Sequence, residues 1–279
     1  MPCGGGAADV RCTPKSRHTS PHGTTPFGRK RPKGVVFFCK ILYSIFVSLY
    51  REKLEMRLTP FVIFDMDGTL LDSSGMWEHV TDRVLGRFGI FITPSQRLEN
   101  MTLTIDGTAA LFVERLGVPL TTAQCAELIR TEARAGYAQE SSVKPGVREV
   151  IAALRARGVR LCVASGTEKP LVDAALGAHG LLDNFEFTIS CENPEGKAKP
   201  DVYLEAQRRF GNPQAKDITI FEDSPTALET AHAAGFCTVG IYDASLDGCW
   251  PRVQAASDLA CRSWQDWLTW EKEENSKKN

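Results

Sequence analysis

Apolar and polar positions alternate along this chain in two different rhythms, and the change of rhythm divides it. Residues 60–65, PFVIFD, form a short apolar run ending in a carboxylate, the pattern of a strand buried on both faces of a parallel sheet. Val147, Val150, Ile151 and Leu154 recur at helical spacing before Gly158, which predicts a helix over 147–157. A second buried strand follows at 159–164 and a helix at about 168–178. The sheet resumes near 185–189, with helices at 201–210 and 225–234 and strands at 217–221 and 237–241. Strands alternating with helices of this length predict a parallel α/β sheet. Between about 74 and 142 the strand pattern disappears. Residues 76–88, 94–100, 105–116 and 121–139 read as successive helices, with Thr121 and Thr122 as a helix start and Gly89, Gly117 and Gly136 as punctuation. The fold class expected is α/β, a Rossmann-like parallel core with an inserted α-helical domain. The core is assigned to 56–73 and 143–270, the insert to 74–142 and a polar tail to 271–279. Segments 71–75 and 141–146 then form paired linkers.

Residues 1–55 stand apart. They hold ten Lys/Arg against three Asp/Glu, whereas residues 56–279 hold 23 against 31. The net charge of −1 therefore conceals an acidic folded part, which argues against general nucleic-acid binding. Residues 1–34 are rich in Gly, Pro, Ser, Thr and basic side chains, with no periodic apolar pattern. Residues 35–50 are almost wholly apolar, but the run is short for a membrane span and Lys40 interrupts it. A membrane segment is the lesser reading. The preferred one starts translation at Met56, because Arg51-Glu52-Lys53 can be encoded by purine-rich codons resembling a bacterial ribosome-binding site. The nine cysteines show no metal-ligand spacing. Their odd, scattered distribution suits reduced thiols, with cytoplasm as the default location and no obligate protein partner evident.

Chemistry concentrates at the predicted strand ends. Asp65-Met66-Asp67-Gly68-Thr69 directly follows the first strand, where ligands of open α/β sheets collect. Asp65 is the candidate nucleophile, since a carboxylate needs no separate base at neutral pH. Asp67 can exchange a proton with a leaving oxygen, Gly68 permits the tight turn, and Thr69 offers a phosphate hydrogen bond. Ser165, followed by Gly166 and Thr167, ends the second strand and opens a helix, which makes either a phosphate cradle or an ordinary cap. Lys197 can neutralise transferred oxygens, with Lys199 as its local competitor. Glu222 and Asp223 end the strand at 217–221 and suit coordination of Mg²⁺ by hard oxygen ligands.

These four blocks, in this order, resemble the haloacid dehalogenase (HAD) superfamily, in the phosphatase and beta-phosphoglucomutase-like branch with an α-helical cap after the first strand. The resemblance covers about 60–245. It implies Asp65 as nucleophile, Asp67 as acid/base, Ser165 and Lys197 on the phosphoryl group, and Mg²⁺ on the Asp65 carboxylate, the Asp67 carbonyl and Asp223, with Glu222 assisting. It also implies hydrolysis of a small phosphorylated metabolite through an aspartyl-phosphate. One departure is Ala198, where the family usually has proline after the lysine. Beta-phosphoglucomutases typically carry a histidine near the position of Trp77 and an arginine in the region corresponding to 99–105; here position 77 is tryptophan and 99–105 contains no arginine. Hydrolysis is therefore expected over mutase action, with Trp77 as a candidate substrate contact and Arg134 and Tyr137 as undecided ones.

Overall fold

The computed structural model describes residues 59–93, 96, 103–191 and 195–276. The membrane and start-site readings of 1–55, and the helix expected over 94–100, lie outside those residues apart from Gln96.

Six parallel strands form the core sheet: β1 (Phe61–Phe64), β4 (Arg160–Ser165), β5 (Phe187–Ser190), β6 (Ile218–Glu222), β7 (Cys237–Ile241) and β8 (Leu259–Cys261). Their spatial order is β5-β4-β1-β6-β7-β8. The chain therefore turns one way from β1 to reach β4 and the other way to reach β6. A crevice opens at such a reversal, above the C-terminal strand ends. β1 occupies the centre because nothing in its run needs water: Val62, Ile63 and Phe64 are fully buried. Phe64 stacks on Phe221 of β6 with ring centroids 5.0 Å apart. Truncating so enclosed an aromatic costs roughly 3–5 kcal/mol.

Helices α4 (Val147–Ala156), α5 (Lys169–Ala178), α6 (Asp201–Arg209) and α7 (Pro225–Ala233) fall within a residue or two of the expected spans. In α4 the four periodic apolar residues are the buried ones. Beyond β7 the C-terminal region adds a strand that the sequence pattern did not predict. β8 extends the sheet beside β7 after α8 (Trp250–Ala256), and α9 spans Trp264–Ser276. The expected polar tail from 271 is corrected. Glu271 is buried and pairs with Arg157, so α9 continues because this acid, four residues after buried Trp267, falls on its inward face.

Among the described residues, three helices lie between β2 (Leu71–Asp72) and β3 (Ser142–Val143), which pair antiparallel and tie the two linkers together. They are α1 (Ser74–Gly86), α2 (Ile105–Glu114) and α3 (Thr122–Gln139). Thr121 caps α3 through a reciprocal capping box with Gln124, an arrangement worth about 1 kcal/mol. Gly136 does not punctuate; it lies inside α3. A Cβ there would sit 2.7 Å from the Met76 sulfur, so its smallness lets α1 and α3 approach. Among the described residues, no helix is long and apolar enough to cross a membrane.

Candidate active site

Three blocks of the sequence motif lie at strand ends, and the Lys197 block lies in a 3-10 turn over Gly196–Ala198. The Asp65 N–H donates to the Phe221 carbonyl at 2.9 Å, carrying the β1–β6 ladder one residue past β1. Asp65, Glu222 and Asp223 are all buried, and carboxylate oxygens from the three lie within 4.8 Å of one another. Burial, and then the Glu222 charge, push the Asp65 carboxyl up to about 8. The same two influences, with the Asp65 charge added, drive Asp223 well above the usual carboxylate range. Lys197 bonds Asp65, and Glu222 at 2.6 Å. Burial opposes its charge, but those two carboxylates hold its proton far above the ordinary ammonium range. Among the described residues, one ammonium is bonded to this cluster of three acids, which leaves a deficit of positive charge. Buried oxygen ligands in that condition fit a hard divalent cation.

The two lysines differ in placement. Lys197 sits in a short 3-10 turn over Gly196–Ala198 and points inward, whereas Lys199 is exposed. The missing proline at 198 therefore does not keep the Lys197 ammonium from the cluster. Tyr203 of α6, deeply buried, reaches Glu222 at 3.3 Å. Gly68 makes the turn with φ +77°, and a Cβ there would fall 2.3 Å from the Asp223 Oδ2. Thr69 is fully buried, and its hydroxyl donates to Asp223 Oδ1 at 3.1 Å. Its only proton is thus directed to a carboxylate rather than to the open crevice expected of a phosphate contact. Lys144, which follows β3, bonds the Gly68 carbonyl, the Tyr242 carbonyl at 3.0 Å and Asp243 at 2.7 Å. Burial works against the Asp243 charge, but the Lys144 and Ser245 bonds outweigh it and keep that carboxyl low. From α9, Trp264 donates its indole N–H to the Thr69 carbonyl at 3.0 Å.

Asp67 has a different setting. Ser73 Oγ and the Tyr137 hydroxyl both donate to its Oδ1 at 2.7 Å, and Thr167 Oγ1 donates to its Oδ2 at 2.8 Å. Ser165, almost fully buried, accepts from the Thr167 N–H at 3.0 Å, and Gly166 is exposed between them. Trp77 is half-buried, and its N–H donates to the Tyr137 oxygen at 3.1 Å. Arg134 is exposed. Tyr137 and Lys144 carried no decisive sequence signal; Thr167 had a weak one, standing two residues beyond Ser165.

A family model for haloacid dehalogenase-like hydrolases matches residues 60–235. The chain belongs to that family. This HAD-like hydrolase is similar to (DL)-glycerol-3-phosphatase 2 of Arabidopsis thaliana, at 30% identity over 193 residues, 67% of this chain and 80% of that protein. It is 28% identical to the mitochondrial (DL)-glycerol-3-phosphatase 1 of the same plant, and the match spans 67% of this chain and 65% of that relative's length. Among solved structures, CbbY from Rhodobacter sphaeroides in complex with phosphate matches with a TM-score of 0.63 at 24% identity, covering 74% of this chain and 95% of that one. At that identity the likeness concerns the fold.

Proposed function

We propose that this HAD-like hydrolase is a Mg²⁺-dependent phosphatase acting on a small phosphorylated metabolite, a sugar or polyol monophosphate, through an aspartyl-phosphate on Asp65. The observation that carries the reading is the convergence of Asp65, Lys197, Glu222 and Asp223 in one buried cluster. The glycerol-3-phosphatase names of two relatives support the substrate class.

In this reading the Asp65 carboxylate attacks phosphorus in line with the departing alcohol. Lys197 holds Asp65 in place and faces charge on the phosphoryl oxygens. Ser165, with the backbone N–H groups near Gly166, lies at the strand end beside that charge. Asp67 gives a proton to the leaving oxygen, then takes one from the water that cleaves the acyl phosphate. Thr69 orients Asp223. The cation, held by Asp65, Asp223 and the Asp67 carbonyl with Glu222 nearby, would neutralise charge on the transferred group. We assign the helical segment 74–142 as a cap over the crevice, with Trp77 on its inner side, and residues 56–73 and 143–270 as the core. The reduced-thiol composition favours the cytoplasm. A sugar phosphomutase is the alternative, in which the phosphoryl group returns to sugar instead of water.

The test is phosphate release from a panel of phosphorylated metabolites by the full chain, with and without Mg²⁺, beside Asp65→Asn and Asp67→Asn. Selective Mg²⁺-dependent release is expected, falling by at least ~10⁴-fold in Asp65→Asn and by about 10²–10⁴-fold in Asp67→Asn. Isomerised sugar phosphate without phosphate release would move the assignment to the mutase.

A further inference from the structure

The three hydroxyls on Asp67 come from different parts of the molecule. Ser73 stands at the linker and Thr167 at the end of the core strand β4. Tyr137 comes from α3, deep in the helical segment, with its ring buried. Its bond to Asp67 has a fixed direction. An indole N–H can only donate, so the Trp77 N–H at 3.1 Å makes the phenol oxygen an acceptor. The phenol proton is then left to point elsewhere. Its available targets are Asp67 Oδ1 at 2.7 Å and the Thr167 hydroxyl at 3.4 Å, and Asp67 is much the nearer. Trp77 also meets the Tyr137 ring edge-on at 5.9 Å. The chain Trp77–Tyr137–Asp67 thus begins on α1, passes through α3 and ends on the catalytic loop.

We propose that Tyr137 is a positioning residue that aims the Asp67 carboxyl at the leaving oxygen, so that protonation of the leaving group depends on the helical segment being docked. The inference rests on the reading of Asp67 as acid/base. With two donors on one oxygen and one on the other, the carboxyl plane cannot rotate without breaking a bond. As the Asp65–phosphorus bond forms and the ester bond breaks, the Asp67 proton passes to the departing alkoxide. The carboxylate left behind is received by Ser73, Tyr137 and Thr167. Water then loses a proton to that carboxylate as it attacks phosphorus, and Asp65 is released. Loss of one of the three donors leaves the carboxyl free to turn, and misplacement on the 1 Å scale costs up to about 10²-fold in rate.

Leaving-group dependence separates this role from a structural one. An alkoxide cannot depart without a proton, whereas p-nitrophenolate can, and kcat/KM reports every step through departure of the alcohol. Tyr137→Phe keeps the ring and deletes the hydroxyl. Its kcat/KM on the best alkyl monoester of the metabolite panel should fall about 10–100-fold, at least tenfold more than its kcat/KM on p-nitrophenyl phosphate. Trp77→Phe should give a smaller loss of the same selectivity in the wild-type background and no further loss in Tyr137→Phe. Equal losses on both esters, or no loss on either, would overturn the proposal. Asp67→Asn distinguishes the two levels of the argument. If it shows the alkyl-selective loss and Tyr137→Phe does not, only the Tyr137 assignment fails. If Asp67→Asn is itself unselective, the acid/base reading fails first. Should Tyr137→Phe not fold, Trp77→Phe carries the same comparison alone.

Discussion

Around Asp65 the neighbours are ions; around Asp67, two residues along the same loop, they are hydroxyls. Among the described residues, the first group comes from core strand ends and the turn bearing Lys197, and it is electrostatically incomplete: three buried acids face one ammonium. The second group draws on both the core and the helical segment. Each of its hydroxyls has an acceptor on Asp67. A nucleophile needs a strong local field and tolerates the strain of keeping it. An acid/base group needs a defined direction, which neutral donors supply without adding charge.

That contrast can be broken most sharply at Lys197. Lys197→Met removes the only ammonium that bonds Asp65 and Glu222 among the described residues, and kcat should fall by about 10²–10³-fold. Arginine or methionine at 199, which is exposed, should leave turnover within about threefold. A Lys197→Met enzyme retaining most of its activity would mean that the cation alone manages the charge. The pH dependence of stability is the next largest effect. The Asp65 carboxyl titrates near 8 in the fold against 3.8 in the unfolded chain. Its protonated form is therefore the one the fold prefers. That contribution is complete below about pH 4 and disappears as pH rises through about 8. Melting temperatures of the wild type, each taken relative to Asp65→Asn, should accordingly decline across this window without Mg²⁺. Excess Mg²⁺ should raise the wild-type melting temperature more at pH 8 than at pH 5. A flat difference curve would show that the acids are already compensated.

The smallest expected effect lies at the outer contact between the two regions. Arg130 of α3 makes a bidentate pair with Glu168 at 2.8 and 2.7 Å and reaches Asp106 at 2.7 Å. These groups are partly open to solvent, so Arg130→Gln should cost no more than about 1 kcal/mol in denaturant unfolding. A larger loss would mark this pair, and not the Tyr137 hydroxyl, as the main tie between helical segment and core.

The two regions also differ in how far they could be read before folding. Asp65, Glu222 and Asp223 were legible because each ends or directly follows an unmistakable apolar run. A parallel sheet brings such strand ends together whatever else the chain does. Tyr137 was not legible. It lies on a helix among ordinary polar and small residues, and its partner Asp67 is 70 positions away. Thr69 illustrates the intermediate case. Its place in the motif was plain, yet its hydroxyl faces Asp223, a residue 154 positions distant, because Gly68 lets that carboxylate come so near.

Hydrophobic periodicity by itself determined the α/β class, the positions of most core elements and the loops that carry the acids, since local pattern dictates which faces must leave water. It also determined that the helical segment would interrupt the sheet after β1. Only the tertiary structure decided which lysine turns inward, that α9 continues past Glu271, and that three hydroxyls from separate elements meet on Asp67. Those outcomes depend on side-chain directions and on charges brought together across long stretches of chain. Neither has a period that a one-dimensional pattern can display.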